Sequence, residues 1–492
     1  MAGLEQDDGA GLIRDTEDQH LRADGPDLPG REIGDGDDQL AAQLRRLVMH
    51  GELGARSTGA DRTEIDQQFV RGFAGFGKRL RLDDPANPHL DPLEVRDVDQ
   101  RPSLPNMLSV VSHPEAMPLT PSEMRDLFPI ARRYAYLDHA AIAPLATPVR
   151  SAMTVFLDRL LEEPFEPAHW ERLRTQVRTR VGELLSVGPE GITFTRNTTA
   201  GLGLVAAGLD WRQGDNIVGV DREFPANIYP WMGLKSRGVD LRLHRPENGR
   251  IDVKALLGLC DSRTRVLAIS AVQFWSGFRA DLGALSKGLR GREVLLVVDA
   301  MQAVGALKID LSTMAVDLLA AGAQKWLLGP IGIGFAYVGR RMLERMRPVT
   351  IGADSVIRDR EYLDYDLTFK PDARRYEEAA PNYPGILGMG AAINLLLRAD
   401  PARVEATVLR LADRLRDELP RRGYALVFTP TAPGERSGIV SFRHPRIIPA
   451  EVHAGLREAG IIISLRADFL RASPHFYNSD EDVSRLLDAL PQ

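Results

Sequence analysis

From about Thr120 onward, short apolar runs alternate with stretches of helical spacing. Gly191–Thr195 (GITFT) reads as a strand, followed by a helix from Thr198 to about Leu209. Asn216–Val220 (NIVGV) is the next strand. Val266–Val272 (VLAISAV) and Glu293–Val298 (EVLLVV) are unbroken apolar runs of strand length, as expected where both faces of a sheet are covered. Strand–helix alternation predicts an α/β fold with a mainly parallel sheet and ligands at the carboxyl ends of its strands. The most apolar stretch, Val316–Gly339, contains Asp317, Gln324, Lys325 and a Gly-Pro pair. A membrane span needs ~20 residues almost free of charge, so this stretch reads as buried core around a functional lysine.

Before Thr120 the texture differs. Residues 1–38 are rich in Asp and Gly, and the composition predicts disorder. Helical spacing appears at 39–52, with Leu40, Leu44, Leu47 and Val48, and again at 63–80. Proline-containing coil follows to about Pro118. Within it, Gly72 to Arg79 nearly matches a phosphate-binding loop, but Arg79 stands where a hydroxyl is required and no buried strand precedes it. A solvated amphipathic helix is the better reading.

Length and charge sharpen this division. At 492 residues the chain has room for about three domain-sized units. Its one cysteine, Cys260, excludes a disulfide framework and any multi-cysteine metal site. The formal charge of −6 argues against a general nucleic-acid or membrane-surface binder. The first 40 residues carry a net −9, so the remaining 452 sum to +3. Met1–Gly11 lacks the basic and apolar regions of a secretory signal. With one cysteine and no readable span, the expectation is a cytoplasmic protein.

Three strand ends hold the candidate chemistry. After GITFT, Arg196-Asn197-Thr198-Thr199 opens a helix; its free N–H groups and two hydroxyls suit a phosphate, or an ordinary helix cap. After EVLLVV stands Asp299, a carboxylate that is costly to bury unless a positive partner, such as a protonated ring nitrogen, faces it. Lys325 follows in an apolar, Gly-rich setting that should depress its pKa, as a Schiff-base lysine requires.

Six segments in order carry a resemblance. They are Tyr136-Leu-Asp-His-Ala-Ala-Ile-Ala-Pro144, Thr195-Arg-Asn-Thr-Thr199, Glu223-Phe-Pro-Ala-Asn-Ile-Tyr-Pro-Trp231, Asp299-x-x-Gln302, Gln324-Lys325-Trp326 and Arg471-Ala-Ser-Pro-His-Phe-Tyr-Asn-Ser479. From about Tyr136 to Leu490 the chain resembles the class V aminotransferase family of fold-type-I pyridoxal-phosphate enzymes. That family includes cysteine desulfurases, selenocysteine lyases, isopenicillin N epimerase-like proteins and kynureninases.

The resemblance implies the fold-type-I architecture: a large domain around a mainly parallel, seven-stranded type of sheet, plus a smaller α+β C-terminal domain. The expected divisions are 1–118 for the extension, 119–386 for the N-terminal arm and large domain, and 387–492 for the small domain. It implies pyridoxal 5′-phosphate as cofactor, no metal, an amino-acid substrate and a homodimer. Lys325 would carry the cofactor and shuttle the α-proton. Asp299 would pair with the ring nitrogen, Gln302 with the phenolic oxygen, and Thr198 and Thr199 with the phosphate. Gln324 belongs to the same cofactor set. Phe224 would stack on the ring or serve as a core aromatic. Arg471 would clamp the substrate carboxylate, with Arg466, Asn227 and His139 as further substrate contacts.

Departures from the family pattern restrict the reaction. Phe224 stands where desulfurases stack a histidine, and Gly322 and Gln324 replace Ser and His before the lysine. Ala380 replaces a cross-subunit threonine, and Gln273-Phe274-Trp275 replaces an expected asparagine. The segment Ile463–Leu470, where desulfurases carry the sulfur-accepting cysteine, is short and cysteine-free. Cys260 reads as an inert small residue, and Ser479 as part of a capping box. The expected activity is therefore a Cβ–heteroatom lyase or an epimerase-like reaction begun by Cα–H removal, not persulfide-forming desulfuration. The alternatives are an aminotransferase of the same family and, from another class, a catalytically inert scaffold that binds partners through its N-terminal extension.

Overall fold

The computed structural model describes residues 120–491. The tail, the helices expected at 39–52 and 63–80 and the near-match at 72–79 lie outside the described residues.

After a short strand β1 (Ala135–Tyr136), seven strands form the main sheet. They are β2 (Ile192–Thr195), β3 (Asn216–Val220), β4 (Asp240–His244), β5 (Thr264–Ser270), β6 (Leu295–Asp299), β7 (Leu318–Gly322) and β8 (Gly334–Val338). Their order is β2-β8-β7-β6-β5-β3-β4, and only β8 runs against the others. The unbroken apolar runs have a simple cause. Leu296 and Val298 of β6 face one core, while Leu295 and Val297 face another on the opposite side. β7, and β5 from Val266 on, divide in the same way, so these positions are all buried and none is free to be polar until the strand ends.

On the first face lie the helices Thr147–Glu162, Pro167–Leu185 and Tyr383–Arg398, which pack together. On the second lies the helix Thr198–Gly208. Its close seating needs a glycine: a Cβ on Gly201 would stand 2.7 Å from Cβ of Ala320 on β7.

A second, antiparallel sheet follows. β9 (Ala425–Leu426), β10 (Val440–Arg443), β12 (Ser464–Arg466) and β13 (Phe469–Ala472) lie in the order β12-β13-β10-β9. The helices Pro401–Arg421, Pro449–Glu458 and Asp480–Ala489 share its core through Leu415, Leu456 and Leu486. The segment before the main sheet joins this part: β1 pairs in parallel with β11 (Ile461–Ile462), and Leu137 enters the same core. The expected division between residues 386 and 387 falls within the helix Tyr383–Arg398, whose Ile386, Leu387 and Ile393 belong to the large-sheet core. We propose the boundary just after Arg398. Ser479 caps the final helix by accepting the N–H of Asp482 at 3.3 Å.

Among the described residues no helix is long and apolar enough to cross a membrane. The carboxyl ends of β3, β5, β6 and β7 share one edge of the sheet, where Ser270, Asp299 and Gly322 end their strands.

Candidate active site

Asp299 closes β6 with its side chain buried, and its Oδ1 accepts the N–H of Met301 at 2.9 Å. Burial pushes its carboxyl up to about 6, against the pull of the Lys325 charge. Lys325 lies in the turn after β7, tied by the bonds Leu328 N–H to Lys325 O and Gly329 N–H to Ala323 O. Burial lowers its amine from 10.5 to about 8; the positive Arg471 lowers it further and Asp299 opposes both. Its Nζ stands 5.2 Å from the centre of the Phe224 ring.

The anion cradle forms at the start of the helix Thr198–Gly208. Asn197 caps it, Oδ1 accepting the N–H of Ala200 at 2.8 Å. This leaves Thr198 Oγ1 buried with no hydrogen-bond partner among the described residues, and Gln324 Oε1 is in the same condition. Buried polar atoms rarely remain unpaired, so two orphaned oxygens at one site mark a place built for a polar ligand.

Thr198, Thr199, Phe224, Asp299, Gln302, Gln324 and Lys325 all line one cavity of about 120 Å³. The structure thus brings together every residue expected to hold the cofactor. Gln302 also ties the wall: its Nε2 donates to Ala140 O at 3.0 Å and its Oε1 accepts from Trp326 Nε1 at 2.8 Å, leaving one amide proton for a ligand.

The four substrate candidates lie outside that lining. Arg471 is buried beside it: Nη1 donates to the carbonyl of Phe274 at 2.9 Å, Nη2 to Ser464 Oγ at 3.3 Å, and Asp138 lies 3.7 Å from Nη2. Its Nε is buried with no partner among the described residues, and burial brings the guanidinium down to about 10. Arg466, exposed on β12, is near enough for its charge to lower both Arg471 and Lys325. Asn227 is buried and accepts from Trp231 Nε1 at 3.1 Å. His139 is held by its own protein on both sides: Nδ1 donates to Ser473 O at 2.9 Å, and Nε2 accepts from Tyr477 at 2.8 Å. Burial lowers its imidazole well below the usual value, and its ring lies 6.1 Å from that of Trp326, next to Lys325 in sequence.

Sequence reasoning passed over Ser270, which lines the cavity at the end of β5, and Glu223, which binds it. The rule that singled out Asp299, a polar residue closing an apolar strand, also fits Ser270.

The Aminotransferase class-V family description matches residues 135–486. The chain belongs to this family. It is 27% identical over 398 residues to a probable cysteine desulfurase of Methanothermobacter thermautotrophicus, covering 75% of this chain and 97% of that protein. It is 28% identical over 401 residues to a probable cysteine desulfurase of Pyrococcus abyssi, covering 76% and 97%. Among solved structures it is similar to the cystine C–S lyase C-DES in complex with its product cysteine persulfide, at 26% identity and a TM-score of 0.68 over 73% of this chain and 98% of that one. A mutant of C-DES carries glycine covalently linked to its PLP cofactor; it matches at 25% identity and TM-score 0.68 over 74% of this chain and 98% of that one.

Class-V enzymes use pyridoxal 5′-phosphate (PLP), and this chain is a PLP-dependent enzyme with the fold-type-I architecture. The residues present fit the cofactor: the unpaired Thr198 hydroxyl, a donor at a helix N-terminus, shares one small cavity with a buried carboxylate, the Lys325 amine and the Gln324 amide.

Proposed function

We propose that this enzyme acts on an α-amino acid, or a conjugate of one, by removing the Cα proton. The reaction then ends in Cβ–heteroatom elimination or epimerisation, without passing sulfur to a cysteine of its own. The turn between β12 and β13 carries the last clause. Two residues, Ala467 and Asp468, join Arg466 to Phe469, and Ala467 takes φ +48° to close the hairpin. So short a connection, its flanks paired in the sheet, gives no mobile arm that could bring a thiol to the cavity. Cys260, the single cysteine, lies just before β5 begins at Thr264, across the sheet from Ser270. A seven-residue strand separates the two ends by about 20 Å. Burial also raises this thiol, which reduces its thiolate fraction. A cystine C–S lyase among the similar structures supports elimination.

The bound cofactor supplies an electron sink for the pair left on Cα. Lys325 would carry it, and Asp299 would hold the ring-nitrogen proton. Gln302 would give its remaining amide proton to the phenolic oxygen, and Phe224 would cover the ring. Thr198 and Thr199 would meet the phosphate, helped by the helix N-terminus, and Gln324 would contact the cofactor through its amide. Arg471, with Arg466 nearby, would orient the substrate carboxylate. Once the substrate's amino group displaced it from the cofactor, Nζ of Lys325 would be a free amine whose lowered pKa suits it to take up the Cα proton and return it. The substrate's Cβ substituent then decides between elimination and return of the proton.

We propose a homodimer as well. Beside the cradle, Ala380 and Ile333 line a groove flanked by exposed Ile331, Val349 and Ile351, an apolar surface suited to a second copy. The near-absence of cysteine suits a reducing cytoplasm.

The test incubates holoenzyme with L- and D-amino acids and with S- and O-substituted cysteines and serines. The expected products are a 2-oxo acid with ammonia, or the opposite enantiomer, with no second substrate required and no effect of Cys260→Ser. Turnover that requires an added 2-oxo acid would make it an aminotransferase. A persulfide on Cys260 would make it a desulfurase.

A further inference from the structure

Segments 222–224 and 273–275 touch through every side chain. Glu223 Oε1 accepts from Gln273 Nε2 at 2.8 Å. Phe224 and Phe274 meet edge to face, ring centres 5.4 Å apart at 81°. The Arg222 guanidinium lies 5.6 Å from the Trp275 ring. Glu223 also accepts the N–H of Ser270 at 2.8 Å and, through Oε2, its hydroxyl. This buried carboxylate thus gathers three donors from the end of β5 and the loop beyond it.

The two ends of this pairing reach the two halves of the site. Phe224 faces Nζ of Lys325 at 5.2 Å, and the carbonyl of Phe274 holds Nη1 of Arg471 at 2.9 Å. Both aromatic residues line the cofactor cavity. Phe224 directly follows Glu223, and Phe274 directly follows Gln273.

We propose that Glu223 is the positioning residue of this site: by binding Ser270 and Gln273 it seats Phe224 against the cofactor and Phe274 against Arg471. This rests on the reading of the cavity as the PLP site and of Arg471 as the carboxylate clamp. Arg222 supports the arrangement from the outside. It takes φ +63°, a conformation non-glycine residues rarely adopt, where the chain turns out of β3. Removing the carboxylate would orphan three donors at once and free both aromatic residues. A glutamine would replace most of these bonds, since Gln273 Oε1 is buried without a partner among the described residues and can accept its new amide.

The test compares wild type, Glu223→Ala, Glu223→Gln and Gln273→Ala as holoenzymes. One readout is the visible circular dichroism of the bound cofactor without ligand. The other is the apparent dissociation constant for L-alanine, followed by cofactor absorbance. Glu223→Ala should keep the cofactor covalently bound but change its dichroism, and weaken L-alanine about tenfold, the order expected for losing one buried hydrogen-bonded contact. Glu223→Gln should restore both readouts. Gln273→Ala should weaken L-alanine while leaving the Phe224-dependent dichroism near wild type. If Glu223→Ala does not fold, Gln273→Ala and Glu223→Gln decide. Wild-type L-alanine affinity in Gln273→Ala, or unchanged dichroism and affinity in folded Glu223→Ala, would overturn the proposal. A wild type silent to L-alanine leaves the dichroism of Glu223→Ala and Glu223→Gln to decide, whereas a wild type that binds no PLP overturns the reading of the cavity itself.

Discussion

Lys325, half-buried in the cavity wall, and Arg471, buried beside it, both lose basicity to their surroundings. For Lys325 in the cofactor-free protein the consequence is measurable. Its amine is lowered from 10.5 to about 8, so between these values the unfolded chain holds a proton that the folded chain has released. Stability should therefore rise with pH through that window, by at most about 1.4 kcal/mol per pH unit. Urea unfolding of cofactor-free wild type and Lys325→Met between pH 8 and 10 should show the rise in the first and its loss in the second. An identical slope in both would mean that another group titrates. Arg471 makes a different prediction. Its planar fork is already divided between Phe274, Ser464 and Asp138, with Nε left for a ligand. Arg471→Lys should raise KM for the substrate about 10- to 100-fold, the worth of a charge-assisted hydrogen bond, and affect kcat less. A fall in kcat at unchanged KM would remove Arg471 from carboxylate binding. Lys325 stood out because charge in apolar surroundings is costly and conspicuous, whereas Arg471 was named only through the resemblance of its segment to the family's C-terminal motif. What sequence did not show for His139 is that Ser473 and Tyr477, more than 330 residues away in sequence, meet both its nitrogens.

The elements around the site were legible in proportion to how deeply they are buried. β5 and β6 announce themselves because two cores claim their alternate residues. β7 and β8 were visible only as one apolar block: Gly329-Pro330 marks a break within it, but nothing local says that β8 then pairs between β7 and β2. β4 (DLRLH), at the edge of the sheet, escaped notice although its polar and apolar positions alternate, because five residues with only two leucines make a short signal. The small sheet escaped too, because strands of two to four residues carry too few positions for a pattern. The helix Thr198–Gly208 was found through its cap, but the reason for its position is Gly201, which lets it approach Ala320. Gly201→Val should therefore push the cradle off the sheet. Overpacking of this kind costs about 1–3 kcal/mol, so the melting temperature should fall and PLP affinity with it. Unchanged affinity in a folded variant would separate the cradle from the helix position.

At the scale of the molecule, the charge of the first 40 residues stands apart from the near-neutral remainder. Deleting residues 1–60 should leave cofactor absorbance and turnover nearly unchanged; loss of cofactor on deleting 1–38 alone would make the tail part of the site. Sedimentation should give a dimer, and a strictly monomeric active enzyme would contradict the reading of the groove beside Ala380. Above both stands the assignment of Lys325 as the residue that carries the cofactor. The chain contains seven lysines, so their labelling can be followed peptide by peptide. The decisive measurement is borohydride reduction of the PLP-loaded protein followed by peptide mapping. A single pyridoxyl label on Lys325, absent from Lys325→Ala, is the expected result; a label on another lysine, or none, would contradict it.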